Sequence, residues 1–158
     1  MTDVSPLQHE IRQTRPFRSP SQEGAVGLMR TADQVRRHFG EVLAPYGITL
    51  TQYNVLRVLR GAAPEGLPTL EVAERLIEQT PGITRLMDRL DARGWVRRER
   101  CPEDRRQVLC YITTAGAELL GRLDGPMDEA DEAALQGLSR SEQGQLIELL
   151  DRVRAGLG

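Results

Sequence analysis

A chain of 158 residues is long enough for one domain with a modest core. It contains no run of about 18 apolar residues, which excludes a membrane-spanning helix, and the N-terminus lacks the continuous apolar stretch of a signal peptide; a cytoplasmic location is expected. The net charge of −2 hides an asymmetry: residues 75–106 carry nine arginines against six acids, residues 107–158 four against nine, and residues 1–74 eight of each. A basic segment attached to an acidic body fits a face for a polyanion. There is no lysine, a feature that genomic composition bias explains as well as any function does.

Residues 1–21, mixed in Pro, Ser and Arg, read as a mobile tail with room for a short helix at Leu7–Gln13. From residue 22 to 44 apolar positions at Ala25, Leu28, Met29, Ala32, Val35, Phe39, Val42 and Leu43 follow helical spacing, ended by Ala44-Pro45-Tyr46-Gly47. Thr49 with Gln52 makes a capping box for the next helix. Ala62 to Pro68 reads as a loop. Thr69 is expected to cap a helix through Ile77, with Val72, Ala73, Leu76 and Ile77 facing inward.

The segment Thr80–Thr113 is the most informative. Thr80 suits an N-cap and Pro81 a first helical position, and Ile83, Leu86, Met87 and Leu90 form one apolar stripe. Gly94 sits where a left-handed helix end is expected. The opposite face carries Thr84, Arg85, Asp88 and Arg89, and Gly82 leaves the first turn open to a phosphate. Two strands follow, Trp95–Arg100 and Val108–Thr113, joined by a turn with Asp104, Arg105 and Arg106 at its tip. A helix of this kind fits a major groove, and paired tip arginines fit a minor groove or phosphates. Asp104 would repel phosphate, so its expected role is to orient an arginine or the turn backbone.

After the strands, Thr114 starts a long helix marked by Leu119, Leu120, Leu123, Met127, Ala130, Ala134 and Leu135, and the capping box Ser139–Glu142 opens a last one with Leu146, Ile147, Leu149, Leu150 and Val153. The fold class is therefore mainly α with a small β-wing: a winged helix-turn-helix over residues 45–113, flanked by long helices over 22–44 and 114–158. The flanking helices carry more apolar surface than one chain of this size readily covers. Two-fold symmetry places two recognition helices about 34–36 Å apart, one duplex turn.

Enzyme motifs are absent: no Gly-rich phosphate loop, GxSxG elbow or HExxH is present, and Asp128, Glu129, Asp131 and Glu132 share a helix with an apolar stripe, as a solvated face does. His9, His38, Cys101 and Cys110 lack metal-ligand spacing. No metal or cofactor is expected. Cys101 and Cys110 flank the wing turn; one strand register would bring them to disulfide distance as a thiol switch, and a shift of one residue would put them on opposite faces.

The residues ITRLMDRLDARGWVRR, DRR and YIT, with LTQYNVLRVL at Leu50–Leu59, resemble the recognition helix, wing and opening helix of MarR-type winged helix-turn-helix transcription regulators, over roughly Glu23 to Gly156. The resemblance implies a homodimer that binds a pseudo-palindromic operator in double-stranded DNA, usually as a repressor, released by a small, often aromatic or phenolic effector. By position, Pro81, Gly82, Thr84, Arg85 and Arg89 would face the major groove, with Thr80 at the helix start, and Arg105 and Arg106 would contact the minor groove and phosphates, braced by Asp104. The family's pocket would implicate His38, Tyr46, Tyr53 and Arg57. The chain departs from the peroxide-sensing branch in having no cysteine at the front of its first long helix, and from the urate-responsive branch in having no tryptophan there. A winged-helix module for protein partners remains the alternative.

Overall fold

The computed structural model describes residues 4–158. The chain divides into two compact units, one up to His38 and one from Phe39 to Gly158. In the first unit α1 (Pro6–Glu10) starts at Ser5, whose hydroxyl accepts the amide N–H of Gln8. The helix thus lies earlier than Leu7–Gln13 and gives the expected tail some regular structure. Glu10 on α1 accepts from Arg30 and Gln34 of α2 (Pro20–Leu43) at 2.9 and 2.8 Å. Ser19 caps α2 through the Gln22 N–H, which moves the start of the helix from residue 22 to residue 20.

The second unit begins with the end of α2. A 3₁₀ turn at Ala44–Tyr46 closes on Gly47, and α3 (Leu50–Gly61) opens with the expected Thr49–Gln52 capping box. Its Tyr53, Val55, Leu56 and Leu59 are buried. Next comes a strand that sequence reading took as loop: β1 (Leu67–Pro68) pairs with β3 (Val108–Ile112), Leu67 facing Cys110. Two residues, one of them a proline without an N–H, carry too little alternation to be recognised as a strand.

Helix α4 (Thr69–Arg75) is shorter than expected and is not capped by Thr69. The Thr69 hydroxyl instead donates to the Val108 carbonyl at 3.3 Å and lies 3.5 Å from Cys110 Sγ. Because Leu76 is already extended, the inward stripe ends with it, and Ile77 is 74 % exposed instead of facing the core. Helix α5 (Ile83–Ala92) leads into β2 (Val96–Arg100), and the sheet order is β1-β3-β2, all antiparallel.

Gly94 ends α5 with φ 72°: its N–H bonds to Asp91 O at 2.9 Å and the Trp95 N–H to Leu90 O at 3.1 Å, the double closure of a left-handed helix end. Helix α6 (Thr114–Ala134) starts directly after the wing, and α7 (Arg140–Ala155) starts at the Ser139–Glu142 capping box. The core joins Leu56 and Leu59 of α3, Met87 and Leu90 of α5, and Leu120 and Leu123 of α6, all 0–1 % exposed. Arg60 of α3 adds a bidentate pair to Asp124 of α6, with three hydrogen bonds at 3.0 Å. No helix among the described residues is long and apolar enough to cross a membrane.

Candidate nucleic-acid interface

Helix α5 buries Leu86, Met87 and Leu90 and leaves Thr84, Arg85, Asp88 and Arg89 exposed. Its start differs from expectation. Gly82, at φ 81°, is the N-cap, so Thr80 and Pro81 lie in the preceding turn. The Thr80 hydroxyl donates to Glu78 O at 3.2 Å and caps nothing. A left-handed residue interrupts helix propagation and a glycine has no side chain to cap with, so the first N–H groups of α5 have no side-chain partner. A helix start of that kind accommodates a phosphate oxygen.

Asp104 Oδ1 accepts the Arg106 N–H at 3.1 Å, and the Asp104 carbonyl accepts the Gln107 N–H at 2.9 Å. The Arg106 guanidinium stands 3.5 Å from the same carboxylate and is 95 % exposed. Asp104 therefore folds the tip and restrains one of its arginines. Arg85, Arg89 and Arg105 make no ion pair among the described residues, so their charges are open to an anion from outside.

Two concavities flank α5. One of about 650 Å³ is bordered by Thr49, Thr51, Gly82, Arg85 and Arg89. The other, about 610 Å³, lies between α4, α5 and the wing and is bordered by Thr69, Glu71, Thr84, Arg98 and Arg106. The second brings the start of the recognition helix and the wing arginine to one surface, as DNA reading requires.

Arg98 is a residue that sequence reading missed. It reaches from β2 to two carboxylates of α5, Nη1 to Asp88 at 2.8 Å and Nε to Asp91 at 3.0 Å. Burial opposes its charge, but the hydrogen bonds to Asp91 and Asp88 prevail and hold its pKa above the usual arginine value. The available signal was a pair of acids three apart on a helix, followed by a strand arginine.

The cysteines are placed where no disulfide can join them. The register sets Cys110 opposite Arg98, and the Cys101 N–H bonds to Gln107 O at 2.9 Å. Cys101 is thus three positions along the ladder from the partner of Cys110 and on the other face of the sheet. The thiol-switch expectation is corrected on this ground. Cys110 is 0 % exposed, and burial pushes its thiol pKa up.

Of the residues expected to hold an effector, Tyr53 and Arg57 come together, but as a stacked pair, with the guanidinium 5.8 Å from the ring centre. Tyr53 is 5 % exposed, part of the core, with its hydroxyl pKa raised by burial; Tyr46 is half-buried against the same core. His38 lies on α2 in the other unit. The depression beside Arg57, with Asn54, Arg75 and Ile77, holds about 250 Å³, below the roughly 300–1,000 Å³ usual for ligand sites.

A two-helix unit closed by a three-stranded wing, with open arginines on both its second helix and its wing, defines a winged helix-turn-helix DNA-binding protein. The comparisons with known proteins name the kind. Residues 46–107 match the MarR family model. The chain is 41 % identical to a MarR transcription factor from Planctomyces limnophilus of known crystal structure, over 86 % of this chain and 98 % of that one, with a TM-score of 0.67. It is 27 % identical to the transcriptional regulator PecS of Dickeya dadantii, over 98 % of this chain and 95 % of the relative. A mutant of MarR from E. coli, solved in complex with operator DNA, is 30 % identical over 80 % of this chain and 89 % of that one, with a TM-score of 0.74. The chain belongs to the MarR family of DNA-binding transcriptional regulators. That membership makes it a regulator rather than an enzyme.

Proposed function

We propose that this regulator acts in the cytoplasm as a homodimer that binds a pseudo-palindromic operator and represses transcription from it until a small, aromatic or phenolic effector releases it. The observation that carries the reading is the set of unpaired arginines, Arg85 and Arg89 on α5 and Arg105 on the wing, beside Thr84 and an uncapped helix start. Thr84, Arg85 and Arg89 read base edges, with Thr80, Pro81 and Gly82 at the phosphates beside the helix start. Arg105 and Arg106 follow the wing into the minor groove or along phosphates. Exposed apolar side chains on α7, Ile147 at 59 %, Leu149 at 55 % and Val153 at 44 %, support a dimer surface. The 610 Å³ cavity at Thr84, Arg98 and Arg106 supports effector control better than the Tyr53 region does. A small aromatic placed there would occupy two DNA-facing residues, and so compete with the operator directly.

Fluorescence anisotropy on the DNA upstream of the protein's own gene, against a scrambled competitor and across a salt series, tests the reading. Selective binding with a steep log–log salt slope is expected. Arg85→Ala should weaken operator binding by roughly 1–3 kcal/mol and relax base preference, whereas Arg105→Ala should reduce the slope by about 0.9 for each phosphate that Arg105 neutralises. Binding that is insensitive to salt and sequence would favour the protein-partner module instead.

A further inference from the structure

Arg98 has no place in the DNA contacts just proposed, yet it is the best-anchored cation of the lobe. Its side chain is 26 % exposed, against 57 % and 43 % for its partners Asp88 and Asp91. Those acids are three residues apart on one flank of α5, and the planar guanidinium meets them with two different nitrogens, Nη1 and Nε, where a lysine ammonium would have to serve both from a single atom. The backbone of Arg98 is fixed in turn: it faces Cys110 across the ladder, and the Cys110 thiol lies 3.5 Å from the Thr69 hydroxyl of α4. Asp88 stands one helical turn from Thr84 and is exposed on the DNA-facing side.

We propose that Arg98 is a positioning residue for base reading: by gripping Asp88 and Asp91 it fixes the angle of α5 against the wing, so that Thr84 and Arg85 meet the same bases each time the wing is seated. This rests on the DNA reading above. Arg98 contributes preference between sequences without contributing a phosphate contact. The grip also turns the Asp88 carboxylate toward the sheet, where it no longer faces phosphate.

Arg98→Met keeps the apolar stem and removes the fork. The operator-over-scrambled preference should fall about tenfold or more, the scale of a lost charge-assisted hydrogen bond, while binding to scrambled DNA and the salt slope stay as in the unaltered protein. Arg98→Lys, able to hold one acid, should fall between. A reduced slope would make Arg98 a phosphate contact and overturn the proposal, as would unchanged preference. Asp88→Asn and Asp91→Asn combined with Arg98→Met removes the bare carboxylates; preference should remain low, and its recovery would show Arg98 to be only a charge cover. Hydrogen exchange on the DNA-free protein gives an independent reading. Arg98→Met should speed exchange across residues 83–100 and leave 114–134 unchanged, and equal exchange in both segments overturns the positioning role. If the unaltered protein shows no operator preference, the DNA reading fails, and the exchange result still decides the role of Arg98.

Discussion

The recognition lobe and the last helix solve opposite problems. In α5 Leu86, Met87 and Leu90 of the apolar stripe are buried and Ile83 is partly buried against the same core, while the exposed side is polar and charged. In α7 no residue is buried, and Ile147, Leu149 and Val153 stand in solvent. Burial of apolar surface is the main favourable term in folding, so the first region buries its apolar face within one chain and the second leaves part of its own exposed. On the proposed function, one offers a surface to a polyanion and the other to an apolar partner.

The comparison breaks first at α7. Ile147→Glu with Val153→Glu should convert a dimer to monomers in sedimentation and weaken operator binding by about a hundredfold or more, because two half-sites are no longer joined. Unchanged sedimentation would show that these exposed side chains have no partner copy. The lobe is tested by Gly116→Ala. A Cβ there would stand 2.4 Å from the Trp95 carbonyl oxygen, a backbone atom that cannot turn aside. A loss of about 1–3 kcal/mol is expected in denaturant unfolding, and an unchanged midpoint would mean that α6 packs more loosely on the wing than this distance implies.

The smallest effect belongs to the start of α7, where hydrogen bonds from the Ser139 backbone and side chain hold the Glu142 pKa below its ordinary value of 4.5. A carboxylate with a depressed folded pKa contributes stability that is present above its unfolded pKa and is lost as pH falls through the folded one. Helicity by circular dichroism should therefore fall slightly more on acidification in the native protein than in Glu142→Gln. Identical acid profiles would remove the cap from the account.

Much of this was legible in the sequence because local chemistry and final packing agree. The stripe of α5, the glycine at its end, the two capping boxes and the Asp-Arg-Arg tip each depend on neighbours within a few residues. What escaped depends on partners far along the chain. Thr69 looks like a cap, but its hydroxyl goes to Val108, 39 residues away. The cysteine pair depended on a register that no local rule fixes, and Arg98 depended on which side of the sheet meets α5. Tyr53 carried the right chemistry for a ligand wall, but core packing claimed its ring.

Thr113 joins the two regions. Its hydroxyl donates to Gly94 O at 2.6 Å and accepts the Gly116 N–H at 3.1 Å, while its own N–H bonds to Trp95 O at 3.1 Å. The end of the recognition helix and the start of α6 are thereby riveted at one residue, and Gly116 leaves no gap beside the rivet. A joint so short has no slack, so tilting α6 carries the end of α5 with it like a blade on a fixed shaft. In the proposed dimer, a change in the distance between the two operator-reading helices would therefore have to originate outside this joint.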